Sequence, residues 1–170
     1  DYMDSLEAYY ESKMRIYENT NADDYFIRNV DDENVVKYAQ NIPCHVIDFS
    51  LKRKDVDLYK DDQYAYYKDI QLFKLSDLKI VGEFNCGNAM MASCMAYLMG
   101  VSLFNIQEVI REFSGVEHRI EYVDTIDNVR FYNDSKATNT HAACAGLSAF
   151  EKNVILLCGG KDKHISFDDL

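Results

Sequence analysis

"YFIRNVDDENVVKYAQNIPCHVIDFSL", Tyr25 to Leu51, decides the fold. "YFIRNV" (Tyr25 to Val30) reads as a strand and "DDENVVKYAQ" as a helix. "CHVIDFSL" (Cys44 to Leu51), directly after the chain's single proline, Pro43, reads as a second strand. Two strands joined through a helix run the same way, so the stretch predicts a βαβ unit of a parallel sheet and an α/β fold.

Upstream, "DSLEAYYESKMRIYEN" offers Asp4 as an N-cap with Glu7 three residues later, which predicts a helix to about Asn19. Leu6, Tyr9 or Tyr10, Lys13, and Ile16 or Tyr17 recur at helical spacing and put Lys13 on the apolar stripe. A lysine there usually lays its stem along the apolar surface with its charge in water. A buried one is more easily neutral, and a neutral amine can take up carbon dioxide and become an oxygen ligand for a hard cation.

Downstream, Lys52 to Asp62 reads as a charged loop, and "QYAYYKD" and "IQLFKL" alternate as a β-hairpin does. "DLKIVGEFNCGN" leads into an apolar helix ending at Gly100. A second helix follows, with Asn105 as its expected cap and Ile106, Val109, Ile110 and Phe113 on one face. Helical periodicity stops at "SGVEH", which marks a boundary. Beyond it "RIEYVD" and "VRFYND" flank a short turn, a helix is expected over Thr140 to Phe150, and the apolar "NVILLC" predicts a strand that runs into "GGKDK".

The totals narrow the function. The 170 residues are 48% hydrophobic, enough for a core, and 29 acidic against 18 basic residues leave a net charge of -11. That balance argues against a nucleic-acid backbone or an anionic membrane as partner, while a small phosphorylated ligand needs only a few local cations. Cys44, Cys86, Cys94, Cys144 and Cys158 are odd in number, never spaced as CxxC, and lie mostly in apolar runs, as reduced cytoplasmic thiols do. The histidines lack zinc-ligand spacing. "NAMMASCMAYLMG" is too short to span a membrane, so the protein is expected to be soluble and cytoplasmic.

The functional signal is "NDSKATN", Asn133 to Asn139, a polar loop between a strand and an alanine-rich helix. A lone loop of this kind is most often a solvated cap. Here a second loop, with Lys161, Asp162 and Lys163, is expected to emerge at the same carboxyl edge of a parallel sheet, where α/β proteins bind ligands. Asp134, Lys136 and Thr138, with the helix start after Asn139, would then form a site for phosphate or carboxylate.

"GEFNCGN" (Gly82 to Asn88), "FSGVEHR" (Phe113 to Arg119), "NDSKATN" and "LLCGGKDK" (Leu156 to Lys163), in this order, resemble the signatures of the Mur ligases. The pattern is closest to members that add D-glutamate to UDP-N-acetylmuramoyl-L-alanine through an acyl phosphate. The resemblance implies the latter part of a parallel-sheet-rich central ATPase domain over residues 1–112 and the first half of a Rossmann-like C-terminal domain over 113–170. It implies ATP and Mg2+, with the UDP sugar and D-glutamate as the molecules acted upon, in peptidoglycan precursor synthesis.

By the same resemblance Asn85 and Asn88 meet the nucleotide, Asn88 near the adenine, and Arg119 and Asp134 reach the phosphates and ribose. Lys136, Thr138 and Lys163 face the reacting centre and D-glutamate, with Lys136 and Lys163 counted as catalytic. Lys13 matches a lysine that is carbamylated and binds magnesium. Domain closure about Ser114 to Glu117 is expected to complete the site. Phe84 departs from the usual pattern, standing where members commonly carry His. Met3 and Asp4 stand in place of His and Gly, and Thr140 in place of Pro. No GxxxxGK[ST] is present, so the family's phosphate loop is expected upstream, with further parts of the same chain on both sides, and these 170 residues alone are expected to be catalytically silent. The competing readings are an ATP-dependent ligase of the wider Mur and folylpolyglutamate synthase superfamily with another amino acid, and a nucleotide-binding module without catalysis.

Overall fold

The computed structural model describes residues 3, 5–150, 153–161, 166–168 and 170. The expected βαβ unit is present: β1 (Tyr25–Asn29), α2 (Glu33–Tyr38) and β2 (His45–Phe49), following α1 (Leu6–Met14). β1 and β2 pair in parallel from Tyr25 opposite His45 to Asn29 opposite Phe49. The crossover helix is capped by Asp32, whose carboxylate accepts from the Asn34 and Val35 N–H groups at 2.9 and 3.2 Å. Arg28 and Asp48 tie the two strands with paired bonds of 2.8 and 3.2 Å.

The sheet has five strands in the order β1-β2-β3-β4-β5. β3 (Leu58–Lys60) lies inside the stretch read as a charged loop. Its charged neighbours hid a strand that holds one wholly buried residue, Leu58. β4 (Tyr64–Tyr67) and β5 (Ile70–Lys74) form the expected antiparallel hairpin. β5 is the sheet edge, and Gln107 of α4 covers it by donating to the Leu72 carbonyl at 3.1 Å.

One face of the sheet carries α3 (Glu83–Leu98) and α4 (Leu103–Glu112). Phe49, Leu58, Leu72, Phe73, Met90 and Cys94 are fully buried where these layers meet. Each large side chain there contributes about 1.5–3 kcal/mol by leaving water. α4 is capped by Ser102, not Asn105, whose N–H is the group that Ser102 Oγ receives at 3.2 Å.

α1 departs from expectation in two ways. Ser5 caps it, accepting from Ala8 N–H at 3.1 Å, and Asp4 lies outside the described residues. Its inward side is Tyr10, Met14 and the following Tyr17, with Tyr10 stacked on Tyr38 and Tyr17 edge-on to Phe26. Leu6, Tyr9, Lys13 and Ile16 face water.

After α4 the chain forms β6 (Glu121–Ile126), β7 (Val129–Asn133) and α5 (Thr140–Leu147). Asp127 and Asn128 both adopt positive φ, 50° and 66°, the backbone of a two-residue hairpin turn. β6 and β7 are therefore antiparallel and make a separate two-stranded sheet. Residues 153–158 have no strand pairing and are exposed. The strand expected there is thus not formed, because among the described residues no neighbour supplies the ladder a parallel strand requires. Cys158 is exposed with it, against the expectation of burial.

Candidate functional site

The hairpin places the start of β6 beside the end of β7, with Glu121 opposite Asn133. This brings "VEHRI" and "NDSKATN" into one polar cluster. Glu121 Oε2 accepts from the His118 N–H at 2.8 Å and from Asn133 Nδ2 at 3.3 Å. Asp134 Oδ1 accepts from the Ile120 N–H at 3.1 Å, and the Lys136 N–H donates to the His118 carbonyl at 2.9 Å. Asn133 Oδ1 accepts from the Ser135 N–H, so Nδ2 is the end that meets His118 Nδ1 at 2.9 Å.

The cluster holds its backbone in unusual shape. His118 and Ile120 adopt φ of 67° and 45°, a region costly for side chains with a Cβ and especially for a branched one. The bonds from Asp134 and Lys136 land on these two residues and offset that cost. Arg119 lies between them with its side chain in solvent, and Lys136 and Thr138 are also exposed. Asn139 starts α5 by accepting from the Ala142 N–H at 2.8 Å.

Asp134 connects this cluster toward the five-stranded sheet unit. Its Oδ2 lies 2.5 Å from where a Cβ on Gly146 would stand, so α5 approaches as closely as only glycine permits. One helical turn on, the Ala149 Cβ stands 3.0 Å from the corresponding point on Gly82, the N-cap of α3, itself at φ 98°. The Ala149 N–H donates to the Gly146 carbonyl at 3.2 Å in the turn that follows α5. This turn therefore links the 118–139 cluster to the beginning of α3. Ile80 touches the Gly115 position at 3.5 Å and makes a second link.

Asn85 and Asn88 lie on the first turns of α3. Asn85 is buried and its Nδ2 donates to the Val81 carbonyl at 2.7 Å, which holds the helix start, while Asn88 is exposed. Of the pair, only Asn88 has its side chain open to solvent. Phe84 folds against Gly82, its Cε1 3.0 Å from where a Cβ would be. Sequence reading missed Lys60 on β3, whose Nζ stands 3.6 Å from Glu83 on the first turn of α3. It places a cation against the first turn of α3, and no sequence signal marked it, since β3 was read as loop.

Lys13 does not lie on a buried stripe. Its Nζ sits 5.2 Å from the centre of the Tyr9 ring on the exposed side of α1. Among the described residues no group of three or more His, Cys, Asp or Glu converges as a metal site. The donor set among the described residues therefore does not by itself fit magnesium. Lys163 and Asp162 lie outside the described residues, and Lys161 is exposed. The expected convergence of two loops at one parallel edge is replaced by the joining of β6, β7 and α5. Among the described residues no helix is long and apolar enough to cross a membrane.

Residues 1–96 match the Mur ligase middle domain. Over its whole length the chain is 40% identical to a UDP-N-acetylmuramoylalanine--D-glutamate ligase of Oceanobacillus iheyensis, covering 38% of that protein. It is 41% identical to the ligase of the same description from a Geobacillus species, again covering 38%. The chain thus spans little more than a third of the length of these curated relatives. A solved UDP-N-acetylmuramoyl-L-alanyl-D-glutamate--2,6-diaminopimelate ligase superposes on 95% of the chain with a TM-score of 0.68 at 23% identity, covering 36% of that structure. This last likeness shows the shared fold.

Proposed function

Because the chain belongs to the Mur ligase family, we propose that it is the part of an ATP-dependent ligase that closes over the nucleotide and receives the incoming amino acid. The whole enzyme joins D-glutamate to UDP-N-acetylmuramoyl-L-alanine in cytoplasmic peptidoglycan precursor synthesis. Residues 1–112 belong to its central domain and 113–170 to its C-terminal domain. The names of the relatives, identical at 40% and 41% of positions, support the choice of amino acid.

The observation that carries this reading is the contact path from Asp134 through Gly146 and Ala149 to Gly82. It joins the "NDSKATN" cluster to the α3 start. In the proposed reaction a phosphoryl group passes from ATP to the alanine carboxylate of the UDP sugar, leaving ADP. The amine of D-glutamate then attacks the acyl carbon, loses a proton, and phosphate departs as the amide forms.

Negative charge grows on phosphoryl and then on tetrahedral oxygens, and fixed cations stabilise it. Arg119 is assigned to the phosphates, Lys136 and Lys163 to the reacting centre, and Thr138 with Lys163 to D-glutamate. Asn88 contacts the base, Asn85 holds the turn that presents it, and Asp134 holds the backbone of Ile120, next to Arg119, while bordering the ribose. A bound magnesium ion would stabilise charge on the phosphates, and Lys13, if carbamylated, would offer it one oxygen ligand.

The test is a panel of amino acids offered to the protein that carries this segment, with ATP and UDP-N-acetylmuramoyl-L-alanine. D-glutamate should stimulate ADP release and amide formation. Stimulation by a different amino acid, with D-glutamate inert, would overturn the assignment of substrate.

A further inference from the structure

Asp31 and Ser50 enter none of the roles above, yet both sit where the parallel strands β1 and β2 end. Asp31 Oδ1 accepts from the Ser50 hydroxyl at 2.6 Å, and Oδ2 accepts from the Leu51 N–H at 2.8 Å. Ser50 is wholly buried, and its Oγ also accepts from the Lys52 and Arg53 N–H groups at 3.0 and 2.8 Å. One hydroxyl donor and both acceptor positions of Ser50 are thereby used. The chain leaving β2 has a single shape set by this pair.

That shape points Leu51 at α3. A Cβ on Gly87 would stand 3.3 Å from Leu51 Cδ1 and 3.1 Å from Phe49 Cζ. Gly87 lies between Asn85 and Asn88, so the turn carrying both asparagines rests on Leu51 and Phe49 with no space to settle further. We infer that Asp31 and Ser50 are positioning residues that seat the Asn85–Asn88 turn for nucleotide binding. The inference rests on the nucleotide site proposed above.

The chemistry requires a carboxylate. Asparagine at position 31 offers one acceptor where two donors arrive. If its oxygen serves the Leu51 N–H, its NH2 meets a Ser50 oxygen that already accepts twice; if it serves Ser50, its NH2 faces the Leu51 N–H. Either arrangement releases the loop after β2 and the seat beneath Gly87.

The experiment uses the full-length protein, with affinity for the non-hydrolysable analogue adenylyl imidodiphosphate measured by titration and turnover measured in parallel. Asp31→Asn and Ser50→Ala should each weaken the analogue, and raise the KM for ATP, by about tenfold, the effect of a lost buried bond to a charged group. The kcat should hold within about twofold and the KM for D-glutamate should be unchanged. The double variant should be no worse than the poorer single one, because the pair acts as a unit. Gly87→Ala, which disturbs the same seat from the helix side, should give the same signature and keeps the test open if Asp31→Asn fails to fold. Leu72→Val, a core change of comparable cost to stability, should leave analogue affinity intact.

Unchanged affinity in Asp31→Asn, Ser50→Ala and Gly87→Ala would overturn the inference, as would an equal loss in Leu72→Val. A wild-type protein that binds the analogue but is not stimulated by D-glutamate would refute the proposed substrate alone, with the seat still read by affinity. Failure of the wild type to bind the analogue would overturn both.

Discussion

The five-stranded sheet with α3 and α4 and the smaller unit of β6, β7 and α5 are held together by different means. The first is packed: Phe49, Leu58, Leu72, Phe73, Met90 and Cys94 exclude water almost wholly. In the second, Ile120 and Gly146 are buried while the hairpin leaves Tyr122, Val123, Ile126 and Val129 half exposed. Its shape comes from polar side chains bonded to backbone, chiefly Glu121, Asn133, Asp134 and Asn139. Apolar burial thus anchors a platform, and hydrogen bonds arrange a polar edge against it. The side chains that mark the family serve first to shape their own loop.

The largest effect that would break this contrast is in the platform. Phe73→Ala should lower the free energy of unfolding by about 3–5 kcal/mol, read from urea denaturation followed by circular dichroism. A loss under about 1 kcal/mol would mean the core is not where the burial puts it. Asp134→Ala should act locally. The unpaired Ile120 N–H should cost about 1–3 kcal/mol in hydrogen-exchange protection across residues 118–136. Protection of β1 to β5 should stay as it was, and a loss spreading evenly across both regions would erase the distinction.

The smallest effect concerns the thiols. Burial disfavours the Cys94 thiolate and pushes its pKa from the ordinary 9.0 up to about 12, whereas Cys158 is exposed. Iodoacetamide at pH 8 should label Cys158 within minutes and leave Cys94 unlabelled until denaturant is added, read by peptide mass spectrometry. Since the folded pKa is raised, the neutral thiol favours folding fully below about pH 9, and that contribution is lost as pH rises toward 12. Labelling of both at equal rates would contradict the packing of α3 on the sheet.

Much of the platform was legible because its signals are local. The βαβ stretch carries strand, cap and strand in sequence, and the hairpin of β4 and β5 alternates cleanly. β3 was not legible, being three residues long with Asp57, Asp61 and Asp62 around its one buried leucine. The inward face of α1 was ambiguous because Tyr9 and Tyr10 are adjacent, and tertiary contact with Tyr38 and Phe26 selected Tyr10, Met14 and Tyr17 over Leu6, Tyr9 and Lys13. The meeting of "VEHRI" with "NDSKATN" followed from the hairpin, yet the parallel edge expected beyond it did not form, since Asp127 and Asn128 turn β7 back along β6. Asp31 with Ser50, and Lys60 with Glu83, are paired across 19 and 23 residues, a separation no local periodicity reports.

The central claim is that the α3 start and the 118–139 cluster form one nucleotide site, and ATP titration of the full-length protein tests it most directly. Asn88→Ala and Arg119→Ala, on opposite sides of the contact between Gly82 and Ala149, should each weaken ATP by at least about tenfold while leaving the unfolding midpoint unchanged. ATP affinity that falls in one variant and is untouched in the other would contradict it.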